Sequence, residues 1–293
     1  MKTAIRLYDN IRQKVQFWYT QLKLDRHEKT QGRRLAISIV ESISLSIFKQ
    51  KNHIPTKKAI YDIFQPPCVY KTLVENMNRC ARMAGIILVF LLNLNRSVAH
   101  PVKHTDSTDI PVCTNRKAKY HKTMRGLAQW AKTGKGAFYG LKLHITTDLR
   151  RRMLALRFTS GNADDRTIFI RLNKGLFGIF IADAGYISEK LQREFHVEHR
   201  RLLLAKPRKN MKKLITAFQD LLYGTRMLIE LNFRNLKMFY GLITSLPRSV
   251  NGYLANYIFS LLAYTIASHI SIVLMQTRLH NLLVRATIGA APR

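Results

Sequence analysis

Acidic residues are scarce in this chain. It has 17 Asp and Glu against 49 Lys and Arg, a formal net charge of +32 over 293 residues. Such an excess of positive charge repels itself unless a polyanion neutralises it. Basic residues recur along the whole chain rather than in one tail. This favours a long groove for nucleic acid as the leading interpretation, with an anionic membrane surface second.

Cysteine is also scarce. Cys68, Cys80 and Cys113 form no Cys-x-x-Cys pair, so the sequence predicts neither a disulfide framework nor a zinc site. A reducing cytosol is the simplest compartment for such a chain. The N-terminal stretch is charged throughout and lacks the apolar centre of a secretory signal peptide.

Two apolar runs need to be weighed as membrane spans. The run 83–92 is too short to cross a bilayer. The run 249–277 lacks formal charge and is long enough, but it contains asparagine, histidine and several hydroxyl groups. A buried core helix is therefore favoured over a spanning one, and no membrane is expected as a partner.

The residue pattern divides the chain into three parts. Residues 1–98 are predicted to be mostly helical, 99–248 to alternate strands with helices, and 249–293 to combine an apolar helix with a basic tail. The middle part predicts three strands, a helix, a strand, a helix, a strand and a long helix over 211–240. Strands that alternate with helices predict an α/β fold with parallel strands in its sheet and helices on its faces.

The N-terminal part shows helical periodicity. Leu35, Ile39, Ile43 and Ile47 recur every four residues, as on one buried helical face. Thr56 is a candidate N-cap for the next short helix. Two helices with basic residues follow each other across a short break. This order is typical of a helix-turn-helix and equally of a plain helical bundle.

A stripe of four polar residues recurs in the predicted long helix: Tyr223, Arg226, Glu230 and Lys237. At about 100° of rotation per residue, the four project within about 60° of each other. Glu230 is also the last acid, since the 63 residues after it contain none. A carboxylate flanked by two cations and a phenol is unusual on a solvated helix, so this face is a candidate site.

Two further acids are candidates to join Glu230. Asp106 lies in the middle of the first predicted strand and Asp183 ends the fourth. If those strands are neighbours, both acids reach one end of the sheet, where sites form in such folds. Three converging carboxylates repel each other unless cations lie between them, and Mg²⁺ or Mn²⁺ fits oxygen ligands. Two such ions about 4 Å apart can support an in-line phosphoryl displacement.

Simpler interpretations exist for individual acids. Asp183 alone would open a turn, and Glu230 alone would pair with Arg226 at i, i+4. Asp109 projects from the face of the strand opposite Asp106 and is the weaker choice. Asp164 and Asp165 are predicted to cap a helix or hold a turn.

Other motifs give weaker signals. His196 and His199 lack a third ligand at zinc-like spacing. The Thr-Gly-Lys-Gly at 133–136 fails the phosphate-loop pattern. The basic segment 116–135 interleaves aromatic residues with its charges, which favours DNA contact over a solvated loop.

Several motifs together resemble the transposase of a bacterial insertion sequence. They are DSTDIPVC at 106–113, WAKTGKGAFYGLKLH at 130–144, GNADDR at 161–166, DAGYIS at 183–188 and RKNMKK at 208–213. The pattern Tyr-x2-Arg-x3-Glu-x6-Lys resembles the YREK signature of DDE transposases with an RNase H-like core. The resemblance covers about residues 100–264 and, more weakly, the helical N-terminus.

The resemblance implies an RNase H-like mixed sheet flanked by helices and preceded by a helical DNA-binding region. It implies that Asp106, Asp183 and Glu230 are the catalytic, metal-binding triad for Mg²⁺ or Mn²⁺, with two ions expected. It also implies that the signature residues and basic motifs contact DNA; the candidates are Tyr223, Arg226, Lys237, Lys132, Lys135 and Lys209. No organic cofactor is expected.

The implied reaction is metal-dependent cleavage at the ends of a mobile element, followed by attack of the freed 3′-hydroxyl on target DNA. The implied partners are double-stranded DNA of the element ends and target, and further copies of the chain on paired ends. The expected location is the bacterial cytoplasm, associated with the nucleoid.

Two departures from the family pattern leave alternatives open. Ala184 stands where relatives have a basic residue, and GLITSLPRS at 241–249 replaces a His/Arg-rich stretch. A decayed copy, a nonenzymatic basic DNA-binding protein, a nuclease of the same fold and a membrane-associated protein are the alternatives.

Overall fold

A mixed β-sheet with helices packed around it forms the centre of the protein. The computed structural model describes residues 2–28, 35–134, 136–197, 200–207 and 215–267. The predicted motif at 208–213 and the segment 268–293 therefore lie outside the described residues, as do His199, Lys135 and Lys209.

Helices make up most of the described part of the first 98 residues. They are α1 (Lys2–Gln21), α2 (Ile39–Lys51), α3 (Lys57–Phe64), α4 (Tyr70–Arg79) and α5 (Ala81–Ser97). Thr56 accepts a hydrogen bond from the backbone N–H of Ala59, so the predicted cap of α3 is confirmed. Ser38 and Glu41 form a reciprocal capping box at the start of α2.

The predicted apolar face of α2 is partly wrong. Ile39, Ile43 and Ile47 are buried, but Leu35 is 40% exposed and precedes the helix. The capping box at Ser38 explains the difference, because it begins the helix three residues after Leu35.

One helical stretch among the described residues, Tyr70–Ser97, is long and apolar enough to cross a membrane. It comprises α4 and α5, which join at Cys80 in a helical conformation. In this part of the chain the sequence prediction weighed only 83–92 and so underestimated the length of the helical stretch. Length and composition are weak evidence, since core helices share them, and 44% of the apolar window is buried.

The sheet contains parallel strands, as the sequence predicted for an α/β core. Its strands are β1 (Val102–Pro111), β2 (Gln129–Thr133), β3 (Gly136–Asp148), β4 (Met153–Ser160), β5 (Gly178–Ala182) and β6 (Arg201–Ala205). The order is β2-β3-β1-β5-β6, with β4 also on β3. The β1–β3 and β3–β4 pairs are antiparallel, and the β1–β5 and β5–β6 pairs are parallel. The predicted class, an RNase H-like mixed sheet flanked by helices after a helical region, is confirmed.

One strand was missed in the sequence. β2 lies inside the basic segment 116–135, which was not predicted to contain a strand. It pairs antiparallel with the first residues of β3, and Trp130 contacts Tyr139 across the pair with ring centroids 5.7 Å apart. This cross-strand pairing stabilises a five-residue strand that is too short to show a clear periodicity.

The remaining helices follow the strands. They are α6 (Asp165–Leu172), α7 (Glu189–Val197), α8 (Ala217–Gly224), α9 (Met227–Met238) and α10, residues 250–267. In α10, Tyr253 and Tyr257 are fully buried; the Tyr253 hydroxyl donates to the Val112 carbonyl at 3.0 Å. The described part of the apolar run 249–277 is thus a core helix against the sheet.

The predicted long helix over 211–240 is wrong. Two helices, α8 and α9, replace it in the described part, with a break at Thr225 and Arg226. Gly224 weakens the helix before the break, and the Thr225 hydroxyl donates to the Leu222 carbonyl at 2.6 Å. The four polar residues of the stripe therefore do not share one helical face.

Candidate active site

The parallel pairing of β1 with β5 places two of the predicted acids side by side. His104 on β1 pairs with Ile181 on β5. Asp106 lies two residues after His104, and Asp183 lies two residues after Ile181. If the register continues, the two acids are therefore opposite each other. Because side chains alternate between the faces of a strand, each acid lies on the same face as the residue two positions before it. The predicted proximity of these strands is confirmed.

The break between α8 and α9 is held against the same face of β1. His104 Nε2 lies 2.8 Å from the Thr225 hydroxyl oxygen. Since that hydroxyl donates to Leu222, His104 is the donor to Thr225. Burial lowers the pKa of His104 to about 4, so its ring is neutral at physiological pH. This contact positions Arg226, the next residue, beside the carboxylates.

Arg226 lies between the three predicted carboxylates. Its Nη1 is 3.1 Å from Asp183 Oδ1, and its Nη2 is 3.4 Å from Asp106 Oδ2. The same Nη2 is 3.7 Å from Glu230 Oε1, one turn along α9. The structure therefore brings all three acids to a single guanidinium, although they are separated by up to 124 positions in the chain.

Asp106 is the most enclosed of the three acids. Its side chain is 16% exposed, against 49% for Asp183 and 62% for Glu230. Burial raises the pKa of Asp106 to about 6, although the Arg226 charge and the Ser107 N–H oppose the increase. Asp106 therefore depends on nearby positive charge to remain ionised.

The site carries oxygen ligands of the type that Mg²⁺ and Mn²⁺ prefer. Within the described ranges, no group of three His, Cys, Asp or Glu side chains is close enough together to hold a metal ion. The arginine guanidinium, rather than a metal-sized gap, lies at the centre of the carboxylates.

Two other residues of the predicted stripe lie apart from this centre. Tyr223 is buried, and its hydroxyl donates to the Ala205 carbonyl on β6 at 3.2 Å. Lys237, in the last turn of α9, is 3.0 Å from Asp109. Lys237 is about 10 Å from Glu230 along the helix axis.

Lys132, a predicted DNA contact in the described part of the chain, lies further away. It is exposed on β2, where it pairs with Ala137 of β3. Asp106 pairs with Ile145 of the same strand, eight residues further along. This corresponds to about 26 Å along the strand. An open cleft of about 490 Å³ lies between the two regions, lined by residues that include Asp109, Phe138 and Thr244.

Asp164 has the capping role predicted for it, whereas Asp165 links α6 to the sheet. Asp164 caps α6, accepting from the Arg166 N–H. Asp165 accepts from Ser107 Oγ at 3.0 Å and from Lys142 Nζ at 3.1 Å. These contacts fix α6 to β1 and β3 on the face opposite Asp106.

Tyr186 is a candidate site residue that the sequence analysis missed. It is 2% exposed, and its hydroxyl has no hydrogen-bond partner among the described residues. Burial raises its pKa, and the charges of Asp165, Asp106 and Asp183 raise it further. The signal was present in the DAGYIS motif, where Tyr186 follows Asp183 by three residues. His104 had no comparable signal, because its role depends on Thr225.

Comparison with known proteins identifies the family. Residues 96–249 match the family described as Transposase DDE domain. No curated protein matches the chain. Among solved structures, the piggyBac transposase synaptic complex with hairpin DNA is 10% identical, with 92% of this chain and 75% of that chain covered and a TM-score of 0.49. The Mos1 mariner paired end complex with Mn is 12% identical, with 86% of each chain covered and a TM-score of 0.26.

At these identities and scores, the two structural likenesses carry no functional argument. The family match is different, because it spans just over half of the chain and includes Asp106, Asp183 and Glu230. The chain therefore belongs to the Transposase DDE domain family and is a transposase.

Proposed function

We propose that this transposase cuts DNA at the ends of an insertion sequence and joins the freed 3′-hydroxyl to target DNA. Asp106, Asp183 and Glu230 are the catalytic carboxylates in this proposal. The observation that carries it is the contact of one guanidinium, that of Arg226, with all three. Three of only 17 acids in the chain converge on one cation.

Divalent metal is the general requirement of this family, and the oxygen donors fit Mg²⁺ or Mn²⁺. When bound, two such ions would activate the attacking hydroxyl and stabilise the leaving oxygen. The three carboxylates would hold these ions. Arg226 would then turn its paired N–H groups toward a phosphate oxygen of the DNA, since a guanidinium binds phosphate with the same geometry as carboxylate.

The remaining features of the proposal concern organisation and partners. We assign 1–98 to a helical DNA-binding region, 99–248 to the catalytic domain, and 249–293 to a packing helix with a basic tail. The DNA contacts proposed outside the centre are Tyr223, Lys237, Lys132, Lys135 and Lys209. Double-stranded DNA of the element ends and of the target, and further copies of the chain on paired ends, are the partners, in the bacterial cytoplasm at the nucleoid.

Cleavage of a duplex that carries the element end tests the proposal. In Mg²⁺ or Mn²⁺, Asp106→Asn, Asp183→Asn and Glu230→Gln should each reduce cleavage at least a hundredfold, the loss that follows removal of a major electrostatic group. Asp164→Asn is the matched control, because asparagine caps a helix as well as aspartate does. Normal cleavage by all three variants would refute the mechanism. Cleaved DNA without joined products would instead identify a nuclease.

A further inference from the structure

Two lysines of the N-terminal region lie close together without an acidic partner. Lys49 is in the last turn of α2 and Lys57 is the first residue of α3. Lys49 Nζ donates to the Gln50 side-chain oxygen at 3.2 Å, and Lys57 Nζ donates to the Asn78 side-chain oxygen at 2.5 Å. Both partners are neutral amides, so neither contact neutralises a charge.

The environment of these lysines disfavours their charge. Burial lowers the pKa of Lys49 to about 8. Burial, and then the charge of Lys49, lowers the pKa of Lys57 to about 8. The pKa of Lys14 on α1 is also lowered, by burial and then by the charge of Lys51. Lys49 with Lys57, and Lys14 with Lys51, are thus two separate pairs of like charges, each at an electrostatic cost.

Within the described part of the chain, no acid pairs with these lysines to offset this cost. Sixteen of the 17 acids lie in the described residues, and none forms an ion pair with Lys14, Lys49, Lys51 or Lys57 there. The remaining acid is Glu198. An anion from another molecule is therefore the natural partner for these lysines.

The lysine pair is fixed to the end of α9. Next to Lys49, the Gln50 amide donates to the Asn256 side chain at 2.8 Å, and Asn256 donates to the Gly241 carbonyl at 2.8 Å. Gly241 has a φ of +59°, and a Cβ there would lie 3.0 Å from the Gln50 oxygen. Glycine thus permits the close approach of the two regions.

Arg226 and Gly241 flank the two ends of α9. The helix from Arg226 to Met238 is about 18 Å long, close to the length of five base pairs of duplex. Arg226 and the lysine pair therefore lie near opposite ends of α9, a separation that a DNA backbone can span.

We propose that Lys49 and Lys57 form a binding site for backbone phosphates of duplex DNA, about five base pairs from the cut. This inference rests on the proposed DNA-cleaving function. Phosphate contacts of this kind fix the register of the duplex and carry no sequence preference. The site would hold the element end while the carboxylates act on it.

The test is the binding of a 30-base-pair duplex to the full chain across a range of salt concentrations. Lys49→Met with Lys57→Met should weaken binding roughly ten- to a hundredfold near 0.1 M salt and reduce the slope of log K against log salt by about 2. Lys49→Arg with Lys57→Arg should preserve the slope. Lys58→Gln is the control, because Lys58 on the same helix is exposed and already pairs with Asp62 at 2.7 Å.

The thermal stability of the lysine variants shows whether Lys49 and Lys57 act in DNA binding or in folding. Removing two desolvated cations should leave Tm unchanged or raise it, while DNA affinity falls. An unchanged salt slope in the Lys49→Met, Lys57→Met variant would overturn the site. The site would also be overturned if this variant lost binding to anionic vesicles but kept its binding to DNA. Cleavage by the carboxylate variants and salt-dependent binding by the lysine variants are separate measurements. Failure of the carboxylate variants to reduce cleavage counts against the proposed function, and failure of the lysine variants to change the salt slope counts against this site.

Discussion

The guanidinium of Arg226 lies 3.1 Å from the carboxylate of Asp183. The same group contacts Asp106 and Glu230, so one arginine is paired with all three acids that are proposed to bind metal. A metal ion and Arg226 would compete for the same oxygens. A DNA phosphate that attracts the guanidinium would remove this competition, so DNA and metal should strengthen each other's binding.

Replacement of Arg226 should therefore increase metal affinity in the absence of DNA. Arg226→Gln removes a positive charge from the centre of three carboxylates, and we expect Mn²⁺ to bind about tenfold more tightly, a change of about 1.4 kcal/mol. Titration calorimetry or the electron paramagnetic resonance of free Mn²⁺ measures this. Arg166→Gln is the matched control, since Arg166 pairs with the exposed Asp164. An unchanged Mn²⁺ affinity would show that Arg226 does not compete with the ion.

The contact between His104 and Thr225 should stabilise the fold as well as the site. Thr225→Val preserves the side-chain shape and leaves His104 Nε2 buried without its partner, which should cost about 1–3 kcal/mol. Urea unfolding gives the free energy. Thr167→Val, which removes an exposed hydroxyl on α6, should change it by less than about 0.5 kcal/mol. Equal effects of the two substitutions would contradict a specific role for the Thr225 contact.

Stability should fall in mild acid because of His144. The side chain is 1% exposed, and burial lowers its pKa to about 4, with Asp165 opposing the shift. Unfolding restores the ordinary pKa of about 6.5. Between these values only the unfolded chain binds the proton, so the contribution is complete above pH 6.5 and is lost as the pH falls to 4. The loss is on the order of 3 kcal/mol.

A comparison of pH profiles isolates the His144 contribution. The stability difference between wild type and His144→Asn should be largest near pH 7 and should shrink toward pH 4. The control, His53→Asn, changes an exposed residue with positive φ that asparagine tolerates. A difference between wild type and His144→Asn that does not vary with pH would mean that His144 does not titrate as described.

The close packing at Gly140 should not tolerate a side chain. A Cβ there would lie 2.1 Å from the Ile110 carbonyl oxygen, a backbone atom that cannot move away cheaply. Gly140→Ala should therefore cost about 3 kcal/mol or more, as overpacking of a rigid site does. Gly134→Ala provides the comparison, because no atom lies within 4 Å of its added methyl group. Thermal unfolding distinguishes them, and equal Tm values would contradict the packing argument.

Local sequence patterns predicted much of the catalytic core. The alternation around Asp106 and the apolar run before Asp183 identified their strands, because strand periodicity depends on neighbouring residues alone. The Thr56 and Asp164 caps were predictable for the same reason, since each bonds to a backbone N–H within three residues. The sequence raised the pairing of β1 with β5 only as a condition, and the structure established it.

The sequence by itself determined the composition of the site: a few acids on a basic chain, placed at the end of one strand, within another and on a late helix. The tertiary structure alone decided how they meet. His104, 121 positions earlier, holds the break at Thr225 against β1, and this contact places Arg226 among the carboxylates. The lysine pair of α2 and α3 likewise reaches the end of α9 through Asn256. Such contacts leave no local pattern, because their partners are brought together only when the chain folds.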